Sequence, residues 1–283
     1  MKRIALLLTG LPRFWRQCMP SQLAMLEDSG VDIFFHFWDV ISEAEKLELI
    51  AALKPRAYKF EAQQDFSAYD AEGGISKPDR INIPSRMVSQ FYSWHGVAKL
   101  FEPFINDYDW AVRSRSDLQF VYSIAHIFPQ LKPNDIVVNW WNHDEGSGDV
   151  KLLSDIFAFG DSQMILDYHK LYDHLPEYKQ TQIFNPEMLI THHLHQIPNA
   201  HIISDDFMYY FIRRGHMDGY TVEQCMRENP GRNKWLDPEY VNATTNFYRM
   251  RAGEIGENHV SQFARIQLNE LRHELAEAEA KKG

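Results

Sequence analysis

"MKRIALLLTGLPRF", residues 1–14, admits two readings, and the choice between them decides the fold. Lys2 and Arg3 ahead of an apolar run imitate a secretory signal. The run, however, has five residues before Thr9, Gly10 and Pro12 interrupt it, against roughly 7–15 for the apolar region of such a signal. Residues 3–9 read instead as a buried strand that ends in a turn at Gly10. Working outward, the chain from Pro20 to about Ser29 reads as a helix with Leu23, Met25 and Leu26 apolar. "VDIFFHFWD" (31–39), rich in β-branched and aromatic residues, reads as the next strand. "SEAEKLELIAAL" (42–53) carries Ser42 and Glu45 at capping-box spacing, places Leu47, Ile50 and Leu53 on one stripe, and stops before Pro55. "RAYKFE" (56–61) makes a third short strand. Strands alternating with helices predict an α/β fold with a mostly parallel sheet flanked by helices.

The pattern then breaks. Residues 65–85 contain Gly73, Gly74, Pro78 and Pro84 with little apolar periodicity. A loop of about 20 residues is either functional, as a lid, or a disordered insertion. "SRMVSQFYSWHGVAKLFEPFI" (85–105) reads as a long helix delivering the chain to "DWAVRSRSDLQF" (109–120). If that segment is a strand, Arg113, Arg115 and Asp117 share one face and Val112, Ser114, Ser116 and Leu118 the other. "DIVVNWW" (135–141) is a further strand, followed by the Gly-rich "NHDEGSGD" (142–149). From about Asn258 to Lys282 a charged helix spaces Ala264, Leu268, Leu271, Leu275 and Ala278 as a short heptad seam. It can pack back on the domain or pair in a homodimer. The expected organisation is one domain over residues 1–245 and the C-terminal helix over 246–283.

Composition narrows the function. The chain is 45% hydrophobic, ample for a core, and its formal charge of −10 argues against a nucleic-acid partner, which needs a basic face. Cys18 and Cys225 are too few and too far apart for a disulfide scaffold or a cysteine zinc site, which suits a reducing compartment. No segment approaches the roughly 18 apolar residues of a membrane span. The expected location is cytoplasmic, with at most peripheral attachment to a membrane.

In open α/β sheets, ligands bind beyond the carboxyl ends of the parallel strands. That rule selects Gly10 and Arg13, then His36, Trp38 and Asp39, then Asp117 with Arg113 and Arg115, then Asn139 through Asp144. Around Gly10 and Pro12 a turn can aim backbone N–H groups and the Arg13 guanidinium at a phosphate. The P-loop and dinucleotide glycine spacings are absent. Asp117 suits Mg²⁺ or Mn²⁺, hard cations that take carboxylate and phosphate oxygens. The neighbouring arginines offer an ion pair with Asp117, or a metal-free way to neutralise a diphosphate. Asp155 lies at the start of an apolar strand, where a carboxylate can orient an acceptor hydroxyl, serve as general base, or cap a turn. Glu187 follows Pro186 at a helix start, where the helix dipole favours an acid in any case. His192, His193 and His195 lack the HExxH order of a zincin and read as a partly exposed helix face, while Asp205 and Asp206 can complete a metal site or, the favoured reading, cap a helix.

Taken in order, "LLLTGLPR", "VDIFFHFWD", "SQFYSWHGVAKL", "YDWAVRSRSDLQF", "DIFAFGDSQMI" and "NPEMLITHHL" resemble GT-A-like glycosyltransferases of bacterial lipopolysaccharide and capsular polysaccharide gene clusters, over most of residues 1–215. The resemblance implies a GT-A-like, Rossmann-like sheet with a C-terminal helical tail. It also implies transfer of a sugar from a nucleotide-diphosphate sugar to a hydroxyl of a saccharide or glycolipid acceptor. It assigns Gly10 and Arg13 to the nucleotide or diphosphate, His36, Trp38 and Asp39 to the nucleoside, Asp117 to metal and diphosphate, and Asp155 and Glu187 to the acceptor. Arg115 stands at the first position of the family's paired-aspartate motif, a departure that makes metal independence an alternative to Mn²⁺ or Mg²⁺. Rival readings are a nucleotidyltransferase or nucleotide-sugar hydrolase on a similar sheet, and a non-catalytic carbohydrate-binding or scaffold protein.

Overall fold

The computed structural model describes residues 3–26, 30–71, 84–120, 124–125, 127–141, 152–181, 185–205 and 209–211. Its centre is a seven-stranded sheet. The apolar runs of β1 (Ile4–Gly10) and β2 (Val31–Trp38) are buried almost throughout, and β1 pairs in parallel with both β2 and β4 (Trp110–Arg115). β3 (Ala57–Glu61) adds in parallel outside β2. β6 (Asp135–Trp141) is followed by β7 (Leu152–Asp161), which runs antiparallel to both β6 and β4. β8 (His201–Asp205) pairs in parallel with β6, giving the order β3-β2-β1-β4-β7-β6-β8. The expected class, an α/β fold with a mostly parallel sheet flanked by helices, is the one observed. Because β7 runs backwards, its beginning lies at the same edge as the carboxyl ends of β1 to β4.

The chain divides into two compact units. One comprises Met1–Arg13, Gly30–Ser116 and Leu131–Phe207 and contains the large sheet. The other includes Phe14–Ser29, Asp117–Gln130 and a two-stranded antiparallel pair of β5 (Leu118–Phe120) and β9 (Tyr209–Phe211). In this second unit α1 (Trp15–Met25) buries Trp15, Cys18 and Met19 ahead of Pro20, so the helix starts earlier than the proline suggested. Ser21 Oγ accepts from the Phe120 N–H at 3.2 Å, and Gln22 Nε2 donates to the Leu118 carbonyl at 3.0 Å, which ties α1 to β5.

In the first unit α2 (Glu43–Leu53) begins at Ser42, whose side chain accepts from the Glu45 N–H as the capping spacing predicts. Its buried stripe is Lys46, Leu49 and Leu53, whereas Leu47 is 66% exposed. The stripe is rotated from the expected one because the Lys46 ammonium lies 5.5 Å from the centre of the Phe60 ring and pairs with Asp39 and Glu43. The helix α4 (Pro84–Phe101) packs on β1 and β2 through Val88, Phe91, Trp94, Val97 and Phe101, which join Leu7, Phe34 and Ala111 in the main core. Helices α5 (Ser162–His169), α6 (Leu171–Thr181) and α7 (Pro186–Gln196) add Ile165, Tyr168, Leu175, Leu189 and Ile190 to the same core.

The charged alternation after Trp110 stops early. β4 ends at Arg115, Ser116 and Asp117 form a turn, and Leu118 begins a strand of the second unit. Period-2 geometry therefore holds for Arg113 and Arg115 and does not extend to Asp117. Of the expected lid, residues 72–83 lie outside the described residues. Before them comes the short α3 (Ala68–Ala71), and Asp70 Oδ1 accepts from the Ser85 N–H at 2.8 Å. The "NHDEGSGD" stretch, Asp206, Cys225 and the C-terminal helix with its dimer seam also lie outside them.

Candidate active site

The carboxyl edge of the first unit carries two polar clusters, and α4 contributes to both. The first is built around β1, β2 and β3. Gly10 ends β1 at φ 92°, a left-handed conformation that suits glycine, and its N–H donates to Ser93 Oγ of α4 at 2.8 Å. The His36 ring of β2 is wholly buried, with Nδ1 3.1 Å from Ser93 Oγ and Nε2 2.8 Å from Glu61 Oε2 at the end of β3. Burial alone raises the Glu61 carboxyl, but hydrogen bonds from Lys59, His36 and Tyr92 outweigh it and hold the group down at about 2. Burial pushes the His36 imidazole below its ordinary value against the pull of Glu61. Trp38 is buried and stacks on Tyr92, ring centroids 5.6 Å apart, and Asp39 Oδ1 pairs with Lys46 Nζ at 2.6 Å. His36, Trp38 and Asp39 thus sit together at the end of β2, with their polar atoms or ring faces engaged by α4, β3 and α2.

The other residues that the sequence singled out at this edge are spread out. Arg13 is exposed, and its N–H donates to the Leu11 carbonyl at 2.8 Å in the turn after Gly10. Ser116 Oγ reaches the Leu11 carbonyl of the same turn at 2.7 Å. Arg113 is fully buried in mid-strand, its guanidinium carbon 4.3 Å from the centre of the Trp94 ring, whereas Arg115 at the strand end is half-buried. Asn139 is buried within β6, beside a bulge between Val138 and Trp140.

Asp117 belongs to the second unit, buried near Cys18, whose thiol is pushed up to about 12 by burial and then by the Asp117 charge. A protonated thiol is no metal ligand. Among the described residues no group of three or more His, Cys, Asp or Glu is placed to hold a metal ion.

The second cluster joins β7, α4 and α7. Asn185 caps α7, its Oδ1 accepting from the Met188 N–H at 3.0 Å, and Pro186 fills the first turn, where a missing N–H costs nothing. This fixes Glu187 at the helix start. Thr191 Oγ1 donates to the Glu187 carbonyl at 2.7 Å and accepts from the Leu153 N–H at 2.9 Å, which locks that turn to β7. Glu187 Oε2 is buried with no hydrogen-bond partner among the described residues. Burial, then the negative charge of Asp155, push the Glu187 carboxyl up to about 7, against hydrogen bonds from its own N–H and the Asn185 side chain. Asp155, half-buried on β7, accepts from Gln90 Nε2 of α4 at 2.6 Å. The sequence flagged Asp155 and Glu187, and the structure brings them together. It missed Gln90, Ser93, Tyr92 and Glu61. For the last of these, the carboxyl-edge rule applied to "RAYKFE" is the signal that points there.

Of the histidines on α7, His193 is buried, with Nδ1 3.0 Å from the Tyr178 hydroxyl and Nε2 2.9 Å from the Asp167 carbonyl, while His195 is exposed. Burial pushes His193 down to about 4, so it stays neutral as a core residue.

No protein-family model and no curated protein matches the chain. Among solved structures the chain is similar to the crystal structure of a glycosyltransferase involved in the glycosylation of the major capsid of PBCV-1. The two are 12% identical, over 81% of this chain and 98% of that one, with a TM-score of 0.37. What this site can do chemically rests on its own geometry. No helix among the described residues is long and apolar enough to cross a membrane.

Proposed function

We propose that the protein is a glycosyltransferase that moves a sugar from a nucleotide-diphosphate sugar onto a hydroxyl of a saccharide acceptor, such as a bacterial lipopolysaccharide or capsular glycan. The observation that carries this reading is the buried Glu187 carboxyl, raised to about 7 by burial and then by the charge of Asp155. A group of that proton affinity suits a general base at neutral pH. In the proposed step Glu187 takes the proton of the acceptor hydroxyl as its oxygen bonds to the anomeric carbon. The bond from that carbon to the diphosphate breaks, and the nucleoside diphosphate leaves with the electron pair. Asp155 orients the acceptor. Gly10 and Arg13, in the turn after β1, face the diphosphate in this reading, and Arg115 at the end of β4 adds charge neutralisation.

The test is a transfer assay with UDP-, GDP-, CMP- and TDP-sugars and a panel of saccharide acceptors, with and without Mn²⁺. Acceptor-dependent product that disappears in Glu187→Gln is the expected result. Free sugar released at the same rate without acceptor would replace this reading with hydrolysis. No turnover of any donor, and no rise in melting temperature with any nucleotide, would overturn it.

A further inference from the structure

The sheet ends at β3, which among the described residues pairs with β2 alone. Its outer edge is a row of backbone donors and acceptors, and which of them face out follows from the ladder. The Asp39 N–H donates to the Glu61 carbonyl at 2.7 Å, so Glu61 turns its backbone groups toward β2. Lys59 and Ala57 do the same by alternation, and Tyr58 and Phe60 turn theirs outward. The side chains alternate as well. Phe60 lies on the α2 face, where the Lys46 ammonium is 5.5 Å from its ring centre, and Tyr58 shares that face, its ring 5.2 Å from Phe35 and 6.2 Å from Phe60. Lys59 and Glu61 share the opposite face and pair at 2.8 Å.

Apolar surface is exposed at this same corner of the protein. The large hydrophobic side chains exposed among the described residues are Val40, Leu47 and Tyr58, and all three belong to the run from the end of β2 through α2 to β3. Scattered singly, such residues need no explanation; gathered beside an open strand edge, they mark an interaction surface. We propose that β3 is a dimer interface: two copies of this chain join their β3 strands antiparallel about a two-fold axis through Phe60, continuing the sheet from one subunit into the other.

A two-fold interface sets a strand against its own copy, so the charges on β3 choose the register. An axis at Lys59 puts Lys59 opposite the partner's Lys59, which is destabilising. An axis at Tyr58 puts it opposite the partner's Ala57. With the axis at Phe60, Lys59 stands opposite the partner's Glu61 and Glu61 opposite the partner's Lys59, so both cross-strand pairs are of opposite charge. The same register joins the outward backbone groups. Phe60 exchanges both of its hydrogen bonds with the partner's Phe60, and Tyr58 faces the partner's Ala62, while Lys59 and Glu61 fall at non-hydrogen-bonded positions, where facing side chains come closest. An edge lysine ordinarily discourages strand pairing. Here it meets an acid, and at 52% exposure its side chain is free to reach from its own Glu61 to the partner's.

Sedimentation velocity of the full-length protein between about 1 and 100 µM tests this, since association makes the measured mass depend on protein concentration. The expected result is a monomer that passes to a dimer as concentration rises, with amide exchange at Tyr58 and Phe60 slowed in the dimer. Tyr58→Pro removes an outward donor at a position where an edge strand tolerates proline, and should leave a monomer at every concentration. Lys59→Glu sets like charges opposite each other on both sides of the axis and should raise the dissociation constant about tenfold or more, with the circular dichroism of the fold unchanged. A monomer throughout the range overturns the proposal. So does a dimer undiminished in Lys59→Glu or in folded Tyr58→Pro, which would place the contact elsewhere, as on the C-terminal seam. None of these outcomes depends on transfer activity, so the interface and the proposed function stand or fall separately.

Discussion

Gly96 lies inside α4 against the buried ring of His36, and replacing it by alanine is the sharpest test of how the carboxyl edge is built. A β-carbon placed there sits 2.6 Å from His36 Cγ and 2.8 Å from Nε2, with Cδ2 closer still. The ring cannot simply turn aside. It is wholly buried, its Nε2 is 2.8 Å from Glu61 Oε2, and its Nδ1 lies 3.1 Å from Ser93 Oγ. Overpacking a core costs about 1–3 kcal/mol. Displacing the ring also weakens a hydrogen bond to a charged group, worth about 1.5–3 kcal/mol. Against this, alanine in a helix interior gains about 1 kcal/mol over glycine. The net expectation is a loss of about 2–5 kcal/mol in urea unfolding at neutral pH. In a His36→Ala background the obstacle is gone, so the same Gly96→Ala change should be neutral or stabilising by up to about 1 kcal/mol. Gly96→Ala that stabilises the otherwise unaltered protein would refute the packing argument, since only helix propensity would then be acting.

Three further outcomes follow from individual contacts. Glu187 is raised from the ordinary 4.5 to about 7, so its protonated form favours the fold. That contribution is complete below the unfolded value and is lost as pH rises through about 7. Glu187→Gln should therefore match the parent at pH 4 and exceed it by about 3 kcal/mol at pH 9, at roughly 1.4 kcal/mol for each pH unit separating the folded from the unfolded value; a stability difference independent of pH would contradict this. The Cys18 thiol, buried and pushed up to about 12, should resist alkylation at pH 8 in folded Cys225→Ser protein and react only on denaturation, as mass spectrometry would register. Asp161 Oδ1 accepts from the N–H groups of Gln163 and Met164 at the start of α5, so Asp161→Ala should cost about 1–2 kcal/mol in urea unfolding, with Asp161→Asn recovering most of it.

The strands were legible because they are short apolar runs bounded by turn residues. "DIVVNWW" is a strand from its first residue to its last, and residues 3–9 match β1 to within one residue at each end. Less legible were details that depend on what lies opposite. Two stripes compete on α2, and the one containing a lysine is buried because Asp39, Glu43 and the Phe60 ring await it. The reversal of β7 follows from strand pairing, which hydrophobic pattern does not encode. At the site, Asp155 and Glu187 stood out as carboxylates at element starts, whereas Gln90 is an ordinary residue in a helical pattern whose meaning comes from a partner 65 positions away. Gly96 did carry a signal, since an isolated glycine within a helical pattern commonly marks a close approach.

The carboxyl edge also shows why position beyond a strand does not by itself make a residue available for chemistry. His36, Trp38, Asp39 and Glu61 all satisfy the positional rule, yet each spends its polar atoms or ring face on another element of the protein. Glu187 differs in kind. A buried polar atom without a partner costs about 1–3 kcal/mol, and Oε2 of Glu187 has none among the described residues. Burial, then the charge of Asp155, raise its proton affinity against the hydrogen bonds that the carboxyl does accept from its own N–H and from Asn185. Under the proposed function, an acceptor hydroxyl that donates to Oε2 would supply the missing bond, favour the carboxylate, and so make Glu187 a base at the moment the acceptor arrives. Acceptor binding and deprotonation of Glu187 would then be coupled. Saturating acceptor should therefore shift the Glu187 midpoint below its free value, a change that carboxyl NMR of protein labelled with ¹³C-glutamate, assigned by Glu187→Gln, would register directly.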